Sequence, residues 1–403
     1  MALNVKVGLI GVLDMLKFKN MAKVREQAIQ AAPAKEIKGE FAINQNAKLL
    51  HPDYQKLVVS EVIGHDAAGA KTYVFRSAEN KPLAYFRAGQ YLSLKLQIGD
   101  SFVTRPYSIS SSPKWATEGK VAITVRTNPG GFVADWLLEN LKEGDTVIAS
   151  AGEGQFYYEN LRDAKNVVAL AGGSGITPFL SMAYAIRDGI EDFNLTILFG
   201  SRTEETILFR EELDAICAAC PKVKVVHVLS HEEKEGFEHG FITGALIEKY
   251  AAGEEVSVFM CGPQAMYNFV DGELAKLGYD EKHVRHEIFG AVKEPWTLPG
   301  YPAEAKGQTF QLTVKQCGQV YVIPASADEP LLIAIERAGI AAPSLCRSGE
   351  CGWCRSRMTA GQVFIPQKGD GRRYADVMYG YIHPCGSFPI SDVELEVPGE
   401  YLN

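Results

Sequence analysis

The chain has 403 residues, of which 46% are hydrophobic and 22% charged, and its formal net charge is −8. That length exceeds one hydrophobic core and predicts two to four domains, while an acidic balance argues against a nucleic-acid partner. No apolar run reaches the ~18 residues of a spanning helix, and Val5 to Leu16 lacks the flanks of a signal peptide, so a cytoplasmic location is expected.

Residues 1–50 read as a helical extension, with Leu9, Ile10, Leu13, Leu16, Met21 and Val24 at roughly helical spacing. Such a stripe suits a packing or dimerising arm, or a helix that docks on a partner or a membrane surface.

Residues 51–163 contain short alternating segments, including Lys56–Val62, Tyr91–Leu96 and Val121–Val125, separated by Gly, Pro and Asp. This pattern predicts an antiparallel β-barrel. Two motifs lie in it, Phe86-Arg87-Ala88-Gly89-Gln90-Tyr91 and Arg105-Pro106-Tyr107-Ser108. Alone, the second could be a solvated charge beside a half-buried ring. Together its residues suit a flavin, with an Arg fork for phosphate, a Tyr ring for the flavin face and a Ser hydroxyl for the reactive nitrogen.

Residues 164–290 change character. A buried strand at Val167–Ala171 runs into Gly172-Gly173-Ser174-Gly175-Ile176-Thr177-Pro178, and further strands are read at Leu195–Phe199, Val223–Leu229 and Val256–Met260. Strands alternating with helices predict a parallel sheet. The glycine turn is not a G-x-G-x-x-G fingerprint. However, it opens a helix, with Thr177 as expected N-cap and Pro178 as first helical residue, and bare amides there favour a pyrophosphate. Met260-Cys261-Gly262-Pro263 ends the last of these strands, where ligands of such sheets bind. Ser201 and Arg202 could hold a 2′-phosphate, yet Glu204 and Glu205 would repel it, so the nucleotide is read as NADH or NADPH.

Residues 291–307 carry Pro295, Pro299, Gly300 and Pro302 without periodicity and read as a linker. Residues 308–403 hold strands at Phe310–Val314 and Val320–Pro324, a helix at Pro330–Ala338 and a closing strand at Val393–Val397. Four of the eight cysteines fall here as Cys346-x4-Cys351-x2-Cys354, followed after 30 residues by Cys385. This is the plant-type [2Fe-2S] spacing, and Ser348, Gly349 and Gly352 let the backbone wrap closely. A structural zinc site usually pairs two short knuckles, and a Rieske centre needs two histidines, whereas only His383 stands near. Cys217, Cys220 and Cys317 are read as structural, and Trp353 as a shield over the cluster.

In this order, over residues 54–398, the motifs resemble the ferredoxin–NADP⁺ reductase superfamily. The nearest likeness is to reductases fused to a C-terminal plant-type ferredoxin domain, such as the reductase components of phthalate-, vanillate- and phenylacetyl-CoA-type oxygenase systems. The resemblance implies a multidomain fold: an antiparallel flavin barrel, a Rossmann-like α/β NAD(P) domain and an α+β β-grasp ferredoxin domain. Arg105, Pro106, Tyr107 and Ser108 match its flavin motif. Gly131, Phe132 and Val133 match its second phosphate loop, with Val125 on the strand before it. Ala134 replaces the usual Ser or Thr, which removes one hydroxyl contact. FAD is implied rather than FMN.

Gly172, Gly173, Gly175, Thr177 and Pro178 match the family's nucleotide loop, and Cys261, Gly262 and Pro263 its distal motif. Glu287-Ile288-Phe289 matches the terminal Glu-x-aromatic, which sets Phe289 against the flavin. The implied reaction gathers Ser108, Cys261, Glu287 and Phe289. Hydride passes from NAD(P)H to the flavin, and single electrons then pass to the cluster and on to an oxygenase, demethylase or other reductase docked near the cluster loop. The electron-transfer subunit of dihydroorotate dehydrogenase is a second reading, weakened because its last cysteine lies much closer to the third. A redox-sensing module is the non-enzymatic alternative.

Overall fold

The structure is a computed structural model that describes residues 9–32, 41–127, 130–279, 281–290, 292–367 and 369–399. The chain divides into two compact units, the first ending at Asn46 and the second starting at Ala47. The N-terminal extension forms helices α1 (Leu9–Ala31) and α2 (Ala42–Leu50). Among the described residues no helix is long and apolar enough to cross a membrane.

The flavin region contains β1 (Gln55–His65), β2 (Ala70–Ser77), β3 (Tyr91–Ile98), β4 (Ser101–Ser108), α3 (Lys114–Thr117), β5 (Lys120–Arg126), α4 (Phe132–Asn140) and β6 (Thr146–Ala149). The strands form an antiparallel sheet in the order β4-β3-β6-β1-β2-β5. A bridge between Ile109 and Ile123 joins its two edges, so the sheet closes into the expected barrel. Leu57, Tyr73, Phe75, Leu94 and Ile123 fill the interior. Helix α4 is anchored to the barrel wall where the Tyr73 hydroxyl donates to the Leu137 carbonyl at 2.8 Å.

The second domain contains β7 (Asn166–Gly172), α5 (Thr177–Arg187), β8 (Asn194–Ser201), α6 (Arg210–Ala219), β9 (Val223–Leu229), β10 (Glu238–His239), α7 (Gly244–Ala251), β11 (Val256–Cys261), α8 (Gln264–Leu277) and β12 (Val284–His286). The sheet is parallel, in the order β10-β9-β8-β7-β11-β12. Helices on both faces explain why β7 and β11 are apolar almost without alternation. The chain leaves β7 toward one side and returns to β11 on the other, so Ala171 and Cys261 are neighbours at the switch point where such sheets bind ligands.

The last domain contains β13 (Thr309–Gln316), β14 (Gln319–Ser326), α9 (Leu331–Arg337), β15 (Ser356–Ala360), β16 (Val363–Phe364), α10 (Tyr374–Met378), β17 (Tyr381–Ile382), β18 (Phe388–Pro389) and β19 (Val393–Glu396). Its five-stranded sheet runs β14-β13-β19-β15-β17, and Leu331, Leu332 and Ile335 of α9 pack into the same core as Leu312, Val314 and Leu395. Residues 291–307 include two short 3₁₀ turns, and the Tyr301 ring meets Phe364 edge-on at 5.2 Å.

The three domains of the second unit are tied by specific contacts. Phe156 and Tyr158 leave the barrel to join the core around Phe179 and Phe259. The Ser181 hydroxyl donates to the Ser111 carbonyl at 2.8 Å. On the ferredoxin side, the Ser93 hydroxyl of β3 donates to the Leu345 carbonyl at 3.2 Å.

Candidate functional site

Alternation along β4 turns Arg105 and Tyr107 to one side and Pro106 and Ser108 to the other. Ser108 is buried and lies opposite Tyr91 in the β3–β4 register. The Arg105 guanidinium lies 3.7 Å from Glu336 of α9, and Glu336 also takes both arms of Arg347 from the cluster loop. Two guanidiniums thus share one buried carboxylate, leaving one positive charge over. Burial, and then the Arg347 charge, push Arg105 down to about 10. A flavin phosphate is the anion that such a site lacks, and the arrangement fits the group. A second set of donors lies at the N-terminus of α4, where Gly131, Phe132 and Val133 have no side-chain cap among the described residues. Val125, buried at the end of β5, faces the barrel interior with Ile123.

The glycine turn is built by close backbone approach. A Cβ on Gly175 would sit 2.1 Å from the Cys261 carbonyl oxygen, and one on Gly172 would sit 2.8 Å from the Pro263 ring. Gly173 has φ +55°, and its open face is covered by the Arg126 guanidinium. Residues Gly173–Ile176 form a 3₁₀ turn that runs directly into α5. Thr177 is therefore the first helical residue rather than the cap, its hydroxyl donating to the Ser174 carbonyl at 3.0 Å, and Pro178 follows it. The expectation for Thr177 was off by one position because the extra turn carries helical backbone angles back to Ile176.

Arg126, first residue beyond the expected strand Val121–Val125, escaped the sequence reading. Burial, and then the charge of Arg202, lower its pKa, so two cations flank this turn. The Ser201 hydroxyl at the end of β8 is buried with no partner among the described residues. An unpaired hydroxyl, two cations and bare amides fit a dinucleotide phosphate. Glu204, expected to repel, is held by Arg210 and Lys234.

Cys261 ends β11 fully buried, and burial followed by the Glu287 charge raises its thiol well above the usual range. It therefore stays a neutral thiol at physiological pH. Iodoacetamide at neutral pH should label the exposed Cys317 and leave Cys261 untouched in the native protein, as peptide mapping would read. The Gly262 amide donates to the Tyr267 hydroxyl, which itself donates to the Glu287 carbonyl, so Tyr267 ties the two ends of this site together. The sequence carried no signal for Tyr267 beyond its place on the helix after Pro263.

Glu287 is buried, one carboxyl oxygen has no hydrogen-bond partner among the described residues, and burial, then Glu350 and Cys346, hold its pKa well above the carboxylate range. Phe289 packs edge-on against Tyr91 at 5.5 Å. Ser108, Tyr91, Phe289, Glu287 and Cys261 thus form one cluster at the barrel–sheet junction. Replacing Gly175 with Ala should push the turn off β11 and raise the KM for NAD(P)H by on the order of 10-fold or more, with flavin and cluster spectra unchanged.

The four expected ligands also meet. The Cys354 and Cys385 sulfurs are 3.3 Å apart, and the Cys346 sulfur accepts the amides of Ser348 at 3.5 Å and Cys351 at 3.4 Å. The Trp353 amide donates to the Cys351 sulfur at 3.4 Å. Four clustered thiols ringed by backbone amides fit a two-iron cluster. The wrap depends on positive φ at Arg347, Gly349 and Gly352, and a Cβ on Gly349 would lie 2.6 Å from the Gly369 carbonyl. His383 is no ligand: buried, it donates from Nδ1 to the Gly349 carbonyl at 2.5 Å and braces the loop.

A flavin barrel, a dinucleotide sheet and a four-cysteine ferredoxin fold in one chain define a three-cofactor electron-transfer reductase. Residues 55–158 match the oxidoreductase FAD-binding domain, 169–272 the oxidoreductase NAD-binding domain and 314–385 the 2Fe-2S iron–sulfur cluster binding domain. The chain belongs to the ferredoxin–NADP⁺ reductase superfamily, in the branch whose reductases carry a C-terminal [2Fe-2S] ferredoxin domain.

It is 31% identical to the glycine betaine monooxygenase reductase subunit of Chromohalobacter salexigens over 342 residues, 81% of this chain and 91% of that one. It is 28% identical to the ferredoxin reductase component of 3-ketosteroid-9-alpha-monooxygenase of Mycolicibacterium smegmatis, over 84% of this chain and 95% of that one. Its fold is similar to phthalate dioxygenase reductase, with a TM-score of 0.60 at 24% identity over 86% of this chain and 98% of that one. The protein is an NAD(P)H-dependent oxidoreductase with FAD and a [2Fe-2S] centre.

Proposed function

We propose that this chain is the reductase component of an oxygenase- or demethylase-type system, delivering electrons one at a time to a separate redox protein. When bound, the flavin accepts a two-electron hydride from NAD(P)H and the cluster passes single electrons. The chain's own residues orient and insulate. Arg105, Tyr107, Ser108 and the Gly131–Val133 amides hold the flavin. Gly172, Gly173, Gly175, Thr177, Pro178, Ser201, Arg202 and Arg126 hold the nucleotide. Cys261, Gly262, Pro263 and a protonated Glu287 line the nicotinamide end, where Phe289 fills the space until nucleotide enters. Cys346, Cys351, Cys354 and Cys385 hold the iron.

The observation that carries this reading is the position of the cluster loop. Its preceding residue, Leu345, is bonded to flavin strand β3, and its Glu350 acts on Glu287 at the nicotinamide end. Anaerobic titration of holoprotein with NADH or NADPH tests it. Bleaching of both flavin and cluster bands, with steady turnover of ferricyanide and cytochrome c, is expected. Negligible turnover would instead mark a sensing module.

A further inference from the structure

Helix α8 begins at Gln264, directly after Pro263, whose extended backbone makes the turn out of β11. Side chains in a first helical turn lean back toward the N-terminus, so Tyr267 reaches over the end of β11. It is 3% exposed. Its hydroxyl accepts the Gly262 amide at 3.1 Å, donates to the Glu287 carbonyl at 2.5 Å and is bonded by the Cys261 thiol. One turn further along the same helix face, Asp271 bonds His286 Nε2 at 2.7 Å. Tyr267 and Asp271 thus grip two consecutive residues, His286 and Glu287. The Glu287 amide is tied in turn to the Met260 carbonyl at 3.0 Å.

A tyrosine hydroxyl has one hydrogen to give and lone pairs for two donors. Here the hydrogen goes to Glu287, and the lone pairs take the Gly262 amide and the Cys261 thiol, so the group is saturated. The thiol hydrogen is therefore committed to Tyr267. That selects one orientation of the S–H bond and leaves sulfur lone pairs as what Cys261 presents elsewhere. The same hydroxyl holds Glu287, which follows β12, against Gly262, which follows β11. A phenylalanine ring would fill the same volume but orphan the Gly262 amide and the Glu287 carbonyl.

We propose that Tyr267 is a positioning residue for hydride transfer, its hydroxyl setting Cys261 and Glu287 in the arrangement that the nicotinamide requires. The inference rests on the reading of those two residues as the nicotinamide end. Tyr267 acts through them rather than on the nucleotide, so its loss misaligns the reacting atoms and slows the step without weakening binding.

The test uses holoprotein. Tyr267→Phe should lower the limiting rate at which NAD(P)H bleaches the flavin in stopped flow by ~10-fold. Calorimetric binding of ADP, which carries the adenosine half of the nucleotide and no nicotinamide, should keep the wild-type affinity. The S–H stretching band of Cys261 is isolated by subtracting the infrared spectrum of Cys261→Ala, and it needs neither nucleotide nor turnover. In wild type it should lie below the frequency of a free thiol, and Tyr267→Phe should move it up. In the Cys261→Ala background, adding Tyr267→Phe should lower the bleaching rate by less than it does alone, because the two residues share one bond. An unchanged bleaching rate, a free-thiol band in wild type, or a rate loss matched by an equal loss of ADP affinity would overturn the proposal. Bleaching of Cys261→Ala at the wild-type rate would instead sink the reading of the nicotinamide end, and this assignment with it.

Discussion

Cys346→Ser is expected to abolish the visible and EPR signals of the cluster. It should also cut NAD(P)H-driven reduction of cytochrome c by more than about 100-fold, while NAD(P)H still bleaches the flavin. Cys346 is the hub of the nest: its sulfur accepts two backbone amides and neighbours both Cys351 and Cys385. A hydroxyl there is a harder and poorer ligand for iron. Stopped-flow reduction of the variant separates the two halves of the reaction. Full-rate reduction of cytochrome c without the cluster would show that electrons bypass it.

The second large effect falls on a residue outside every motif. Glu336→Gln should destabilise the protein by ~3–5 kcal/mol, because it strands the buried Arg347 guanidinium beside Arg105. The same change frees Arg105, so the stability deficit should shrink as FAD is added, and thermal melts with and without flavin would measure both signs. The double variant Glu336→Leu/Arg347→Met should recover much of the loss, since well-packed apolar groups often replace a buried ion pair at little cost. A melt unchanged by Glu336→Gln would mean that the pair is not buried in solution.

Local patterns were legible in the sequence. Cysteine spacing announced the cluster, unbroken apolar runs announced β7 and β11, and the glycine turn announced the nucleotide site, because each is dictated by nearby residues. Thr177 misled by a single position because a 3₁₀ turn and a true cap look alike as letters. Arg126, Tyr267 and Glu336 were not visible, since each acts on partners brought close only by folding: Arg126 on Gly173, Tyr267 on Glu287, Glu336 on Arg105. Helix α10 was missed for the opposite reason. Its outward apolar face has no core-directed stripe, so helical periodicity gave nothing to read.

Tyr91 and Ser93 lie two residues apart on one strand, so their side chains leave the same face about 7 Å from each other. One packs on Phe289 and the other holds the residue before Cys346. The gap across which an electron must tunnel is thereby set by a fixed stretch of covalent backbone rather than by a hinge. Internal transfer should be insensitive to solvent viscosity, in contrast to designs where a carrier domain swings between donor and acceptor.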